Sequence, residues 1–167
     1  IAALYDLPMK EFPHFDRNVE NTSGFHVTVE DAERCPRMTG TQIENVCVKP
    51  APYWMQVRIW KTGMRPINAL VDITNYVMLA TGQPSHAYDS DHIAGHIIVR
   101  RAKAGETLTL LNGKELPLST DDLTIADDAG IVGLAGVMGG AKDSILPTTN
   151  KVILEVANFQ AAGIRRT

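Results

Sequence analysis

Asn112-Gly113 stands between the β-leaning run Thr107 to Leu111 and a second run that opens at Lys114. An Asn-Gly pair in that setting is a strong hairpin signal, because both central residues of a type I′ turn need positive φ. A second turn, Asp127-Asp128-Ala129-Gly130, separates Leu123 to Ala126 from Ile131 to Met138 and reads as another hairpin. A chain punctuated in this way pairs its strands locally and in antiparallel fashion. Ile97 to Arg101 and Lys151 to Val156 are further strand candidates.

The first half adds strands and helices. Phe25, Val27 and Val29 alternate with polar residues, a period-2 pattern. Arg37 to Val48, rich in Thr, Ile and Val, reads as a second strand. Pro52 tolerates a first helical turn and opens a short helix to Lys61, with Gly63 as its C-cap. Pro66 opens a second helix, with Ile67, Leu70, Val71, Thr74, Val77 and Met78 on one face. Gly82 stops it and Pro84 prevents its continuation. Local strand pairs with helices to one side give an α+β fold: a mixed, mostly antiparallel, β-sandwich-like core with helices packed on one side.

Ile1 to Leu7 reads as the tail of a helix closed by Pro8, and residues 8–24 as a linker. The expected division is 1–23, tail of a preceding domain and linker, and 24–167, the main domain. The chain begins with Ile rather than Met, and Ala161 to Thr167 read as a helix or loop interrupted midway. The expectation is a piece of a longer polypeptide.

With 167 residues, 44% hydrophobic and 21% charged, the chain has enough apolar material for a core. It carries neither an apolar run of about 18 residues nor a secretory signal pattern, so no membrane span is expected. Cys35 and Cys47 are too few for a disulfide framework and fit a reducing, cytoplasmic setting. Neither lies in a CxxC or Cys/His cluster, so no metal site is expected. A net charge of −3 is unlike a free-standing nucleic-acid binder. Any RNA contact would be local, with other domains supplying most of the phosphate contacts.

Several residues could carry chemistry. Thr74 and Asn75 sit on the second helix, and the break at Gly82-Gln83-Pro84-Ser85 then delivers His86. Asn75 and His86 could converge on a pocket; spacing alone rather favours an exposed Asn75 with His86 capping the turn. Gly133 to Gly140 holds small residues that admit a ligand close to the backbone, with N–H groups able to stabilise an oxyanion. The same run also reads as a tight strand-to-loop bend. Glu155 stands among apolar β residues, on one face with Ile153 and Lys151, and pattern alone does not say which face is buried. Arg100, Arg101 and Lys103, like Arg165 and Arg166, read as solvated runs. Arg65, between the two helices, is better placed to reach a phosphate or ribose. The chain has no GxSxG, HExxH or P-loop.

Arg65-Pro66-Ile67-Asn68 with Val71-Asp72-Ile73-Thr74-Asn75-Tyr76-Val77-Met78-Leu79, then Gly82-Gln83-Pro84-Ser85-His86-Ala87-Tyr88-Asp89, closely resembles the editing domain of bacterial phenylalanyl-tRNA synthetase β chains. Ile98 to Ala102, Ala135 to Gly140 and Ile153-Leu154-Glu155 agree in the same order. The resemblance runs from about residue 24 to the end. Ala69 and Ser85 depart from the family's usual residues there, off the pocket positions.

The resemblance implies a mixed β-sandwich with helices that hydrolyses tyrosine wrongly attached to phenylalanine tRNA. It implies a pocket lined by Arg65, Thr74, Asn75, His86, Gly139 and Glu155, with Glu155 reading the tyrosine hydroxyl. His86 and Asn75 would position water or the terminal ribose. Gly139 and Gly140 would stabilise the oxyanion, and Arg65 would hold the tRNA end. A Thr and an Ala that complete the family's pocket lie on a segment after residue 167, so one wall is expected to be missing. No cofactor is expected in this chain. ATP and Mg2+ belong to the complete enzyme, a heterotetramer with a separate α chain. The alternatives are a non-catalytic tRNA-docking module of the same fold, like the related domain of tRNA-lysidine synthetases, and a small-molecule pocket protein unrelated to tRNA. The pocket motifs, matching in order, argue against the latter.

Overall fold

The structure, a computed structural model, describes residues 2–9, 24–142 and 144–167. The strands are β1 (Val27–Val29), β2 (Arg37–Glu44), β3 (His86–Asp89), β4 (Ile97–Arg101), β5 (Thr107–Thr109), β6 (Glu115–Pro117), β7 (Leu123–Ala126), β8 (Ile131–Leu134), β9 (Met138–Gly139) and β10 (Lys151–Asn158). The α-helices are α1 (Ala2–Tyr5), α2 (Tyr53–Lys61), α3 (Ala69–Thr81) and α4 (Ala161–Ile164). Of the linker expected at 8–24, residues 10–23 lie outside the described residues.

β1-β4-β7-β8-β9 form one sheet and β2-β10-β3 a second, with β5-β6 a separate ribbon. β1 and β4 run parallel; the other pairs are antiparallel. The main core joins the two larger sheets: Ile97, Val99, Ile125 and Val132 from the first meet Tyr88 and Ile153 from the second. This is the α+β, sandwich-like arrangement expected. A satellite core of Leu108, Leu110, Leu118 and Leu134 seats the ribbon. A third, of Ala51, Met55, Ile59 and Ala69, joins α2 to α3, and α3 touches β3.

Local details differ from expectation. The second strand stops at Glu44 rather than Val48, with Asn45 in the left-handed region. Pro52 is the N-cap of α2 and not its first turn; Thr62 is the C-cap, and Gly63 follows at φ 85°. Pro66 does not open α3. Asn68 does: its side chain accepts from the Leu70 and Val71 N–H groups, satisfying donors the helix itself leaves unpaired. Gly82 ends α3 at φ 78°, as expected. The buried side of α3 is Ala69, Asp72 and Thr74, while Ile67 and Val77 are exposed. Asp72 turns inward because its Oδ1 accepts from the Ile67 N–H, tying down the turn before the helix.

The Asn112-Gly113 hairpin exists, but its turn is not type I′. Gly113 has φ 79°, Asn112 stays out of the positive-φ region, and the Gly113 N–H donates to Leu110 O. This is a type I turn followed by a left-handed glycine. At the second hairpin, Asp127 Oδ1 accepts from the Ala129 and Gly130 N–H groups, and the Asp127 N–H donates to Gly130 O. The run from Ile131 to Met138 is not one strand. Gly136, at φ 68°, turns it back, so that β9 pairs with β8. The basic run is not simply solvated either: Arg100 grips Glu106 with two bonds of 2.8 and 2.9 Å, and Arg101 reaches Asp31 at 2.7 Å.

Candidate functional site

β10 is the centre of the second sheet, and its register builds the site. Glu155 lies opposite Gly40 on β2 and His86 on β3. Ile153 lies opposite Tyr88. By strand alternation, His86, Tyr88, Glu155 and Ile153 share one face. That face looks into the core, so Glu155 is 7% exposed and Tyr88 2%. Gly40 makes room at the neighbouring position. A Cβ there would stand 2.8 Å from a ring carbon of Phe25, whose ring crosses the strand.

A buried carboxylate needs a partner. The Tyr88 hydroxyl supplies one, donating to Glu155 Oε2. Burial pushes the Glu155 carboxyl above the ordinary carboxylate range, and the Tyr88 bond pulls it partly back. Burial lowers the His86 imidazole, favouring its neutral form. The His86 ring meets Tyr88 edge-on, with centroids 4.6 Å apart and planes at 71°.

The glycine run closes the site from the first sheet. A Cβ on Gly139 would stand 2.9 Å from both Cε1 and Nε2 of His86, so the imidazole edge rests on the bare glycine backbone. Gly133 lies under Gly139 and within reach of the Tyr88 hydroxyl. The Gly140 N–H donates to Val132 O at 2.7 Å. Successive strand N–H groups point to opposite edges, so the Gly139 N–H points away from β8. Of the two glycines, Gly139 is the one whose donor β8 does not consume.

These walls enclose a cavity of about 250 Å³. Pro84, Ser85 and His86 form one side, Gly133 to Gly139 another, and Glu155, Ala157 and Phe159 a third. That is below the roughly 300–1,000 Å³ of pockets for drug-sized ligands and leaves room for a small group only. The Gln83 side-chain amide donates to Ala157 O at 3.2 Å, tying the exit of α3 to β10.

The structure therefore brings His86, Gly139 and Glu155 together. Thr74, Asn75, Arg65 and Gly140 do not line this cavity. Thr74 is buried, its hydroxyl donating to Val71 O; Asn75 is half-buried; Arg65 is exposed. Sequence reasoning did not single out Tyr88 or Gly40. Tyr88 was within reach of it, since it lies two residues after His86 on a strand and so on the same face. Nothing in the sequence marks Gly40 as the residue opposite Glu155. Among the described residues, no group of three or more His, Cys, Asp or Glu could hold a metal. No helix among them is long and apolar enough to cross a membrane.

A sandwich of this topology, with a small polar-floored pocket between its sheets, defines a domain class, and the chain belongs to it: residues 34–167 match the family model described as the B3/4 domain. The relatives it resembles are phenylalanine–tRNA ligase beta subunits, as the sequence motifs implied. That of Solibacter usitatus is 44% identical over 168 residues, covering 100% of this chain and 22% of that protein. That of Streptomyces avermitilis is 44% identical, covering 99% of this chain and 20% of that protein. The chain spans about a fifth of the length of these curated relatives. In fold it is similar to a crystal structure of an N-terminal fragment of the phenylalanyl-tRNA synthetase beta-subunit from Pyrococcus horikoshii. The TM-score is 0.59 at 13% identity, covering 93% of this chain and 48% of the other.

Proposed function

We propose that residues 24–167 are the editing unit of a phenylalanine–tRNA ligase beta subunit, hydrolysing tyrosine from phenylalanine tRNA. The observation that carries this reading is the buried Glu155 at the floor of a small cavity, with His86 and Gly139 at its side. Tyrosine is phenylalanine with one hydroxyl added. An apolar pocket rejects that hydroxyl by roughly a hundredfold, whereas a site built to hydrogen-bond it discriminates by roughly 10⁴–10⁵. Glu155 is the carboxyl in this cavity and can accept from a phenol, as it already does from Tyr88.

The ester is an activated substrate, so an oriented water suffices. Water attacks the carbonyl carbon, and its proton passes to the neutral His86 imidazole. The carbonyl oxygen gathers charge against the Gly139 N–H. The carbon–oxygen bond to the terminal ribose then breaks and protonated His86 returns the proton to that oxygen, giving free tyrosine and uncharged tRNA. Asn75, on the helix leading to β3, together with exposed Arg65, acts on the tRNA end rather than in the cavity, while buried Thr74 holds the helix beneath them. ATP, Mg2+ and phenylalanine activation belong to the complete cytoplasmic enzyme with its α chain.

The test is loss of ester from preformed tyrosyl-tRNA for phenylalanine, with His86→Ala beside the wild type. Deacylation that falls at least tenfold in the variant supports the reading. An ester left intact by the full-length synthetase makes the domain a docking module. A variant whose pH–rate profile keeps its slope and midpoint removes His86 as base.

A further inference from the structure

We infer that the α2–α3 layer is a docking face for unpaired RNA, distinct from the cavity; the inference rests on the reading above, in which the substrate is an RNA ester. Residues 45–82 hold four cations, Lys49, Arg58, Lys61 and Arg65, against one carboxylate, Asp72. The segment is thus +3 in a chain of net charge −3, leaving −6 for the remaining residues. The four cations are exposed, while Asp72 is 1% exposed and turned into the layer. The surface of this layer is therefore a cationic island on an acidic protein, the footprint expected of local phosphate contact.

Aromatic rings accompany the cations. α2 buries Met55 and Ile59 and turns its other sides outward. Tyr53 is 81% exposed, Trp54 51% and Trp60 69%. Trp54, Arg58 and Lys61 follow i, i+4, i+7 spacing and form one stripe; Tyr53 and Trp60 form the stripe beside it. Arg58 is fixed rather than free. Its guanidinium lies 5.2 Å from the Trp54 ring centre and 5.9 Å from that of Tyr76, and it donates to the Tyr76 hydroxyl at 2.6 Å. Trp54 meets Tyr76 edge-on at 5.5 Å. The result is a rigid set of planar groups at the surface, with Lys61 and Arg65 at its border.

Rings and guanidinium planes interleaved with cations bind single strands, whose unstacked bases offer faces and whose phosphates offer charge. A duplex offers no free base faces. Trp, Tyr and Arg also suit a protein partner; what favours RNA is the excess of four exposed cations over one buried carboxylate on this layer.

The experiment measures binding of a fluorescently labelled single-stranded RNA of about 12 nucleotides to the 167-residue chain, by anisotropy and tryptophan quenching. Variants are Trp60→Ala, Tyr53→Ala and Lys61→Ala, all at exposed positions outside the cavity. Trp60→Ala is expected to weaken binding by roughly 5- to 150-fold, the range of one base–aromatic stack. Lys61→Ala is expected to reduce the salt slope by about 0.7. Circular dichroism confirms the folding of each variant. Binding that survives all three substitutions overturns the inference, as does self-association through this face without RNA binding. Deacylation by the wild type with unaltered RNA binding in the variants removes the docking face and leaves the editing reading intact. RNA binding that depends on Trp60 without any deacylation does the reverse.

Discussion

The hydroxyl of Tyr88 donates to Oε2 of Glu155 across the β3–β10 pair, so the carboxylate proposed to read a substrate phenol already holds one from its own chain. One oxygen is kept satisfied when the cavity is empty, and the carboxyl is drawn back toward its ionised form against the effect of burial. Tyr88→Phe removes this donor. A hydrogen bond to a charged group is worth about 1.5–3 kcal/mol, so clearance of tyrosyl ester at pH 7 should fall roughly tenfold or more. It should recover as pH rises, because the acid limb of the profile moves upward with the Glu155 carboxyl. A uniform loss across pH would mean that Tyr88 is merely structural.

Gly139 is small because His86 lies against it. Gly139→Ala sets a methyl 2.9 Å from the imidazole edge, so the ring must move. Overpacking of this kind costs about 1–3 kcal/mol of stability. Displacement of the proposed base should lower deacylation by at least tenfold, measured at a temperature where the variant is fully folded. Unchanged deacylation would show that His86 need not occupy its observed place.

Glu155 also makes stability depend on pH. Its carboxyl is raised in the fold, so its contribution is fully present below the ordinary carboxylate value of about 4.3. That contribution is lost as pH rises through the folded value. Glu155→Gln removes this loss while leaving the opposite dependence of His86 in place. The difference in melting temperature, variant minus wild type, should therefore climb between about pH 4 and pH 8. A flat difference would mean that Glu155 ionises in the fold as readily as in the unfolded chain.

Asn68 caps α3 and thereby fixes the helix that leads into His86. Asn68→Ala should cost about 1 kcal/mol, read by urea denaturation, and Asn68→Gly only a few tenths. Equal losses for the two would contradict the capping role.

The strand order of the sequence, both hairpins and the end of α3 at Gly82 were legible because turn chemistry is local. The start of α3 was not. Pro66 marks where a helix can begin, but Asn68, with its side chain on two N–H groups, decides where it does begin. The face of α3 was misread because the Thr74 hydroxyl and one carboxylate oxygen of Asp72 bond to nearby backbone and so go inward, while the other Asp72 oxygen, Oδ2, is buried without a partner. The orientation of Glu155 was open for a different reason. Period 2 assigns residues to two faces but does not say which face is covered. That is settled by the pairing of β10 between β2 and β3, residues more than 60 positions away. His86, Gly139 and Glu155 were named from a resemblance; their meeting depends on three separate strands and two sheets.

The central claim is that Glu155 makes this cavity selective for a phenol. The direct measurement is the ratio of kcat/KM for tyrosyl and phenylalanyl esters of phenylalanine tRNA, in the wild type and in Glu155→Ala. The account predicts a strong preference for tyrosine in the wild type that collapses to within about tenfold in the variant, as expected where a buried polar partner sets the specificity. A variant that still separates the two esters as well as the wild type would contradict it.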